Sequence, residues 1–475
     1  MNTFARTRSM HQYYRDIFTH AINLPEADVL PARVVAEVLN YGNSDYQTCE
    51  AQILAAVTEL PPEQERALKK LICAIAMANS VLDSNAQGQK ITLTGEQITT
   101  ITNNLVAVLQ NSNNKNYLIA AIQVLFRINE INSAIFLISN NLSELADSAL
   151  ILKILLLTCL MEEDYNQAHV VIQQLTENAD LIGEDSLTLI MVVCAIYKLG
   201  GHPDSFIDFR PLLNDNYKAD RSKYHWHVEP SNNGKSTVFV ACDKAYYYEH
   251  AIALLLSVYE TNQDDLNVHF HVYNCDREIE EHIRLISEKL PGIAVSLSSE
   301  VLMPIKGINV HYACRRFIFL FSEAEKFSGP IIALDADCLV RKSWREFHSR
   351  YSDKPLIVTW QEGLPLWEQV PAGFIYINPG ELANKYFSSV ACFIDENLQA
   401  NNAQWYLDQI ALSFSLEKLS PIEQLRVGRE SISSIVDVYH SEEAFSWVVT
   451  TQKQGKGKYY QYKSALMERY LPDNK

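Results

Sequence analysis

The periodicity of this chain changes once, and the change dictates its architecture. Up to about residue 215 glycine is sparse. Apolar residues return every three or four positions, as at Ala67, Leu71, Ile72 and Ile75, the spacing of amphipathic helices. From about residue 236 short apolar runs alternate with helical ones. Thr237 to Cys242, Asn267 to Tyr273, Ala294 to Leu297, Leu356 to Trp360 and Phe374 to Ile377 read as strands. Tyr246 to Tyr259, Asp276 to Leu290, Arg315 to Phe327 and Ala403 to Leu416 read as helices, the second opened by an Asp cap. Such alternation builds a mostly parallel sheet with helices on both faces. Residues 216–235 are polar, with Pro230, Asn232, Asn233 and Gly234 together. The expected plan is an all-helical domain over 1–215, a linker over 216–235 and an α/β domain over 236–475.

Within the helical part a repeat is visible. The stretch from Tyr117 matches the one from Ile151, pairing Leu118 with Leu152, Ile122 with Leu156, Ile131 with Tyr165 and Ala134 with Ala168. Each pair is 34 residues apart, the tetratricopeptide period. A third, irregular copy runs from Ser186 to Leu213. Helical arrays of this kind offer a concave surface to a protein partner; a plain helical domain that recognises nothing fits the same pattern.

Chemistry concentrates in Gly329 to Arg341, GPIIALDADCLVR. A short buried strand runs from Pro330 and ends in Asp335-Ala336-Asp337. Two carboxylates at the mouth of a buried strand are costly unless something neutralises them. Mn²⁺ or Mg²⁺ with hard oxygen ligands would do so, its shell completed by substrate phosphates. Open α/β sheets place ligands at that same end of the strand. Turn and helix caps are the alternative use of the two acids.

Other motifs are weak alone. Asp243 and Tyr246 follow the first strand and suit a nucleobase, or a capped helix start. Arg315 and Arg316 suit a diphosphate or sugar hydroxyl, or ion pairs with Glu323 or Glu325. Ala372 and Gly373 leave room for a ligand. Asp408 and Gln409 would offer a carboxylate and an amide. His440 follows an apolar segment, Ile435 to Tyr439. Lys456 and Lys458, set among glycines, suit a phosphate grip. His225 and His227 flank Trp226 without a third ligand nearby in sequence, which reads as a surface or interdomain contact.

Composition narrows the class. A net charge of −17 argues against nucleic-acid and anionic-lipid partners. Nine cysteines, scattered through apolar stretches without a CxxC pair, read as thiols of a reducing cytoplasm. The N-terminus lacks the apolar core of a secretion signal. Leu150 to Leu160 is too short to span a bilayer.

Taken together, four motifs in order resemble the GT-A glycosyltransferases, and most closely family 8, which includes glycogenin and bacterial lipopolysaccharide galactosyl- and glucosyltransferases. The carriers are VFVACDKAYYYEH, the run from HYACRRF to ALDADCLV, AGFIYIN and LDQIAL. They cover roughly residues 236 to 460. The resemblance implies a metal-dependent transfer of a hexose from a UDP-sugar to a hydroxyl of a glycan or protein, with retention of configuration. Asp243 and Tyr246 would bind uracil, and Asp335 and Asp337 would hold Mn²⁺ (or Mg²⁺) with the ribose or diphosphate. One of Arg315 and Arg316 would reach the donor sugar. Asp408 would bind its hydroxyls, with Gln409 on the reacting face. Pro371 stands where that family has Asn, and the family's closing His-x-x-Gly-x-x-Lys-Pro-Trp is absent; by the resemblance His440 would be the third metal ligand and Lys456 or Lys458 the phosphate grip, at a different spacing. Those departures fit a second possibility: a helical interaction protein carrying a degenerate, non-catalytic transferase domain.

Overall fold

A computed structural model describes residues 21–40, 62–86, 93–177, 180, 185–361, 364–449 and 457–471. The chain divides into two compact units, Met1–Ala195 and Ile196–Lys475.

The first unit is helical: α1 (Pro62–Ala86), α2 (Gly95–Asn111), α3 (Lys115–Arg127), α4 (Ile131–Asn140), α5 (Ala149–Met161), α6 (Tyr165–Glu177) and most of α7 (Ser186–Lys198). The 34-residue interval recurs in these elements. Starts of α3 and α5 fall at 115 and 149, and those of α4 and α6 at 131 and 165. The turn within each pair is made by a residue with positive φ, Asn129 (64°) and then Glu163 (57°), again 34 apart. Ala134 and Ala168 are both fully buried, which is what a close helix crossing asks of a side chain.

In the second unit eight strands form one sheet. They are β1 (Tyr224–Val228), β2 (Ser236–Cys242), β3 (Leu266–Tyr273), β4 (Val295–Glu300), β5 (Ile331–Leu334), β7 (Leu356–Thr359), β8 (Phe374–Ile377) and β9 (Val427–Glu430). A small second sheet joins β6 (Cys338–Val340) to β10 (Val436–Asp437) and β11 (Ser446–Val448). The large sheet runs β1-β4-β3-β2-β5-β8-β7-β9. Its centre, β4-β3-β2-β5, is parallel, while β1, and β8 against β5 and β7, are antiparallel. The mostly parallel centre agrees with the alternating pattern of the sequence. Residues 216–235 do more than connect: β1 closes one edge of the sheet, and the Tyr217 hydroxyl donates to Asp395 at 2.8 Å.

Side chains of β2 alternate as a strand's must. Val238 and Val240 join the core under α8 (Ile252–Asn262). Phe239 faces the other way, stacked 5.4 Å from Phe319 of α10 (Ile308–Glu323). On that second face α11 (Glu381–Gln399) packs against both α10 and α12 (Leu407–Glu417). Two further helices, α9 (Arg277–Lys289) and α13 (Lys458–Tyr470), complete the unit. Among the described residues no helix is long and apolar enough to cross a membrane.

Candidate active site

The chain leaves β2 for β3 and β4 on one side, then returns to β5 on the other. A crevice therefore opens between the carboxyl ends of β2 and β5, where strand order reverses and ligands bind. Val240 pairs with Leu334, so Asp243 and Asp335 emerge from the same edge of the sheet. A cleft of about 570 Å³ lies there, lined by Asp243, Tyr246, Tyr312, Arg316, Asp335, Asp337 and Trp405 among others. A second hollow of about 290 Å³ shares Arg316, Asp335 and Trp405 with it and adds Ala372, Gly373, Tyr406, Asp408 and Gln409. Each has the size of a small-molecule site or a part of one.

Arg316 divides the two. It is 7% exposed. Its Nη1 donates to Asp335 Oδ1 at 2.5 Å and its Nη2 to the Ala372 carbonyl at 3.1 Å. The same Nη2 stands 3.8 Å from Asp408 Oδ2. Its Nε is buried without a hydrogen-bond partner. Burial pushes the Asp408 carboxyl above its usual range, and Arg316 pulls it only partly back. Asp408 Oδ1 accepts the Gln409 backbone N–H at 2.8 Å.

Gly373 is small for a reason of space. A Cβ there would meet Asp335 Oδ2 at 3.0 Å, and its carbonyl accepts the Asp335 N–H at 3.1 Å. The side chain of Asp335 is thus clamped between a guanidinium and a glycine, yet remains 36% exposed. Beside Arg316 stand three carboxylates, Asp335, Asp337 and Asp408, a formal surplus of two negative charges. A diphosphate would be repelled by that wall. A divalent cation with hard oxygen ligands matches it, and two carboxylates plus substrate oxygens is the coordination such ions accept. The donor set of Asp335 and Asp337 fits Mn²⁺ or Mg²⁺.

Not every candidate comes to the cleft. Arg315 points elsewhere: its Nε reaches both oxygens of the buried Glu300 at 3.0 and 3.1 Å. Glu323 and Glu325, the partners foreseen for it, are taken by Arg221. His440 lines neither hollow; its Nε2 donates to the Val448 carbonyl at 2.9 Å, and its ring packs near Trp447 and Tyr459. Among the described residues Asp335, Asp337 and His440 do not gather into one ligand cluster. Lys458 opens α13 with its ammonium 3.4 Å from Glu442. Lys456 lies outside the described residues. Asp243 caps the following turn, accepting the Tyr246 N–H at 2.8 Å, so one of its oxygens is engaged.

The structure also adds residues. Asn309, Tyr312, Ala313 and Arg316 share one face of α10 at helical spacing. The sequence pattern begins that helix at Arg315, seven residues late, so its first two turns went unread. Tyr312 stacks on Tyr273 with ring centroids 5.0 Å apart. Trp405 is 62% exposed beside the cleft. Tyr406 holds φ 70° at the head of α12, a strained conformation for an aromatic residue. The helix expected from Ala403 accordingly starts at Leu407.

No family model matches the chain, and no curated protein matches it. Solved structures similar to about half of it include the two that follow. One is an active-site glutamine-to-glutamate mutant of LgtC, at 13% identity and TM-score 0.35 over 50% of this chain and 96% of that one. The other is apo mouse xyloside xylosyltransferase 1, at 10% identity and TM-score 0.30 over 46% and 99%.

Proposed function

We infer that the second unit is a metal-dependent glycosyltransferase that moves a hexose from a UDP-sugar to a hydroxyl of a glycan or protein, with retention. The observation that carries this reading is the crevice at the strand-order reversal, where Asp335 and Asp337 face a cleft that continues past Arg316 to Asp408. Asp335 and Asp337 would hold Mn²⁺ or Mg²⁺. When bound, that ion supplies charge neutralisation for a departing diphosphate.

The chain's own groups do the rest. The exposed rings of Tyr246 and Trp405 offer faces for a base, and the free oxygen of Asp243 accepts from its N–H. Arg316, pre-positioned by two carboxylates and a carbonyl, places fixed positive charge where the leaving oxygen gains negative charge. Ala372 and Gly373 leave room for the sugar, and Asp408 accepts from its hydroxyls. Gln409 lines the same hollow, but its amide is a poor nucleophile. A same-face substitution follows: the acceptor oxygen bonds to the anomeric carbon as the bond to the diphosphate breaks. The electron pair stays with the diphosphate, and the acceptor proton passes to it. The helical unit would serve acceptor or partner recognition as a tetratricopeptide-like array.

The test is release of UDP from UDP-glucose or UDP-galactose by the full chain with Mn²⁺, abolished by chelation. A panel of UDP-sugars giving neither binding nor turnover defeats the proposal. One observation favours the rival, a spent transferase unit on an interaction protein: Asp335 and Asp243 are already engaged by the protein itself. That reading expects UDP to bind, if at all, without turnover.

A further inference from the structure

Away from the cleft, His227, Cys275 and Glu280 bring one ligand atom each to within 4.8 Å of one another. The three come from separate elements. His227 lies on the edge strand β1, Cys275 in the turn after β3, and Glu280 in the first turns of α9. None lines either hollow of the candidate active site. We propose that these side chains form a second metal site, for a borderline-soft divalent cation of the zinc class, which staples β1 to the β3–α9 turn.

Three observations support it. First, the donors are a sulfur, a nitrogen and an oxygen. Thiolate with imidazole selects zinc-like ions over Mg²⁺ or Ca²⁺. Second, the three ligand atoms converge: all lie within 4.8 Å of one another, with His227 Nδ1 3.1 Å from Glu280 Oε1, so small side-chain shifts reach the roughly 3.3–3.6 Å between ligand atoms of tetrahedral zinc. Third, the imidazole is oriented from behind: His227 Nε2 is 2.8 Å from Ser299 Oγ on β4. A hydroxyl accepting from Nε2–H leaves the Nδ1 lone pair for a metal, the usual outer-sphere arrangement of a ligating histidine. Water would supply the fourth donor.

The staple has a structural consequence. β1 is an edge strand with a register shift between Trp226 and Val228; Trp226 is anchored by Glu323 and Phe319, and His227 by Ser299 and Glu280. Cys275 adjoins Asp276, which caps α9 and takes Lys244 at 2.6 Å. Metal at this site would tie the sheet edge to the turn that braces the start of the nucleotide-side wall.

The test is titration of the metal-free full chain with Co²⁺, followed by displacement with Zn²⁺. The expected result is one equivalent of Co²⁺ giving a thiolate-to-cobalt charge-transfer band and tetrahedral visible bands, bleached by Zn²⁺. Both vanish in Cys275→Ser and weaken at least tenfold in affinity in Glu280→Gln, a variant that keeps the shape of the side chain. Zn²⁺ should also raise Tm of the wild type and not of Cys275→Ser. No band, or a band unchanged in Cys275→Ser, overturns the proposal. Because the readout is spectroscopic, it is indifferent to whether the cleft transfers sugars.

Discussion

Adjacent arginines on α10 offer a sharp test, because each meets a buried carboxylate but only one faces the cleft. Arg316→Met removes the guanidinium between Asp335 and Asp408. Stranding a buried carboxylate by deleting its partner is destabilising by about 3–5 kcal/mol. Asp408 is 8% exposed, but Asp335 is 36% exposed at its side chain and recovers water. The lower end, about 3 kcal/mol, is therefore expected. Arg315→Met strands Glu300, 1% exposed, with Lys223 only 3.9 Å away to compensate; that also comes to about 3 kcal/mol. At roughly 2–4 °C per kcal/mol for a domain of this size, each variant should lose about 6–12 °C in Tm.

Function should separate what stability does not. Removing one preorganised donor from a developing negative charge lowers turnover about 10²–10³-fold. That loss belongs to Arg316→Met alone. Arg315→Met, measured well below its Tm and corrected for folded fraction, should turn over UDP-sugar like the wild type. The assay is metal-dependent UDP release, beside calorimetric Tm for both. Equal loss of turnover in the two variants, or retention in Arg316→Met, would refute the division of labour.

Gly373→Ala should weaken Mn²⁺ binding by about tenfold with little change in Tm, since its methyl would press on Asp335 Oδ2 from 3.0 Å; titration calorimetry reads this, and unaltered affinity argues against Asp335 as a ligand. Asp408→Asn should abolish turnover yet raise Tm near pH 8. The carboxyl is raised by burial, so its favourable contribution is complete only below the ordinary Asp range and is lost as pH climbs through the folded value. The gain should shrink toward acid pH, and a Tm below wild type at pH 8 would mean that the attraction of Arg316 outweighs burial. Gly329→Ala should destabilise the second unit by roughly 2–4 kcal/mol, seen as a lower urea midpoint, because its Cβ would lie 2.4 Å from the Lys235 carbonyl; an unchanged midpoint would show that the Gly234–Lys235 turn yields.

Backbone periodicity was the legible part of this chain. Strands β2, β3, β7 and β8 are found within a residue or so of where apolar runs put them, because strands buried on both faces read as continuous apolar runs. The 34-residue step in the helical unit was readable because matching apolar positions recur at that interval, and Ala134 and Ala168 are both fully buried. Short elements held by their neighbours were not. β6, β10 and β11 are two or three residues each and exist only as partners of one another. α11 went unread although it is 19 residues long and its exposed Glu381, Lys385, Glu396 and Gln399 keep helical spacing; the long buried run from Ser389 to Asp395 between them blurred the stripe.

The candidate site divides differently, along the line between residue type and residue partner. Sequence can say that Asp335, Asp337, Arg315, Arg316 and Asp408 are present. It cannot say which guanidinium meets which carboxylate, since successive residues on a helix diverge by about 100°. That angle sends Arg316 to Asp335 and Arg315 to Glu300, a residue 15 positions back whose own location depends on strand order. The same logic hid the His227 cluster: Cys275 and Glu280 follow β3 by a few residues, but β1 reaches them only because it adds to the sheet beyond β4. Constellations assembled by sheet order are invisible to spacing along the chain. Those built from one strand end or one helix face, such as Asp335-Ala336-Asp337 or Asn309 to Arg316, are open to it whenever the element's start is read correctly.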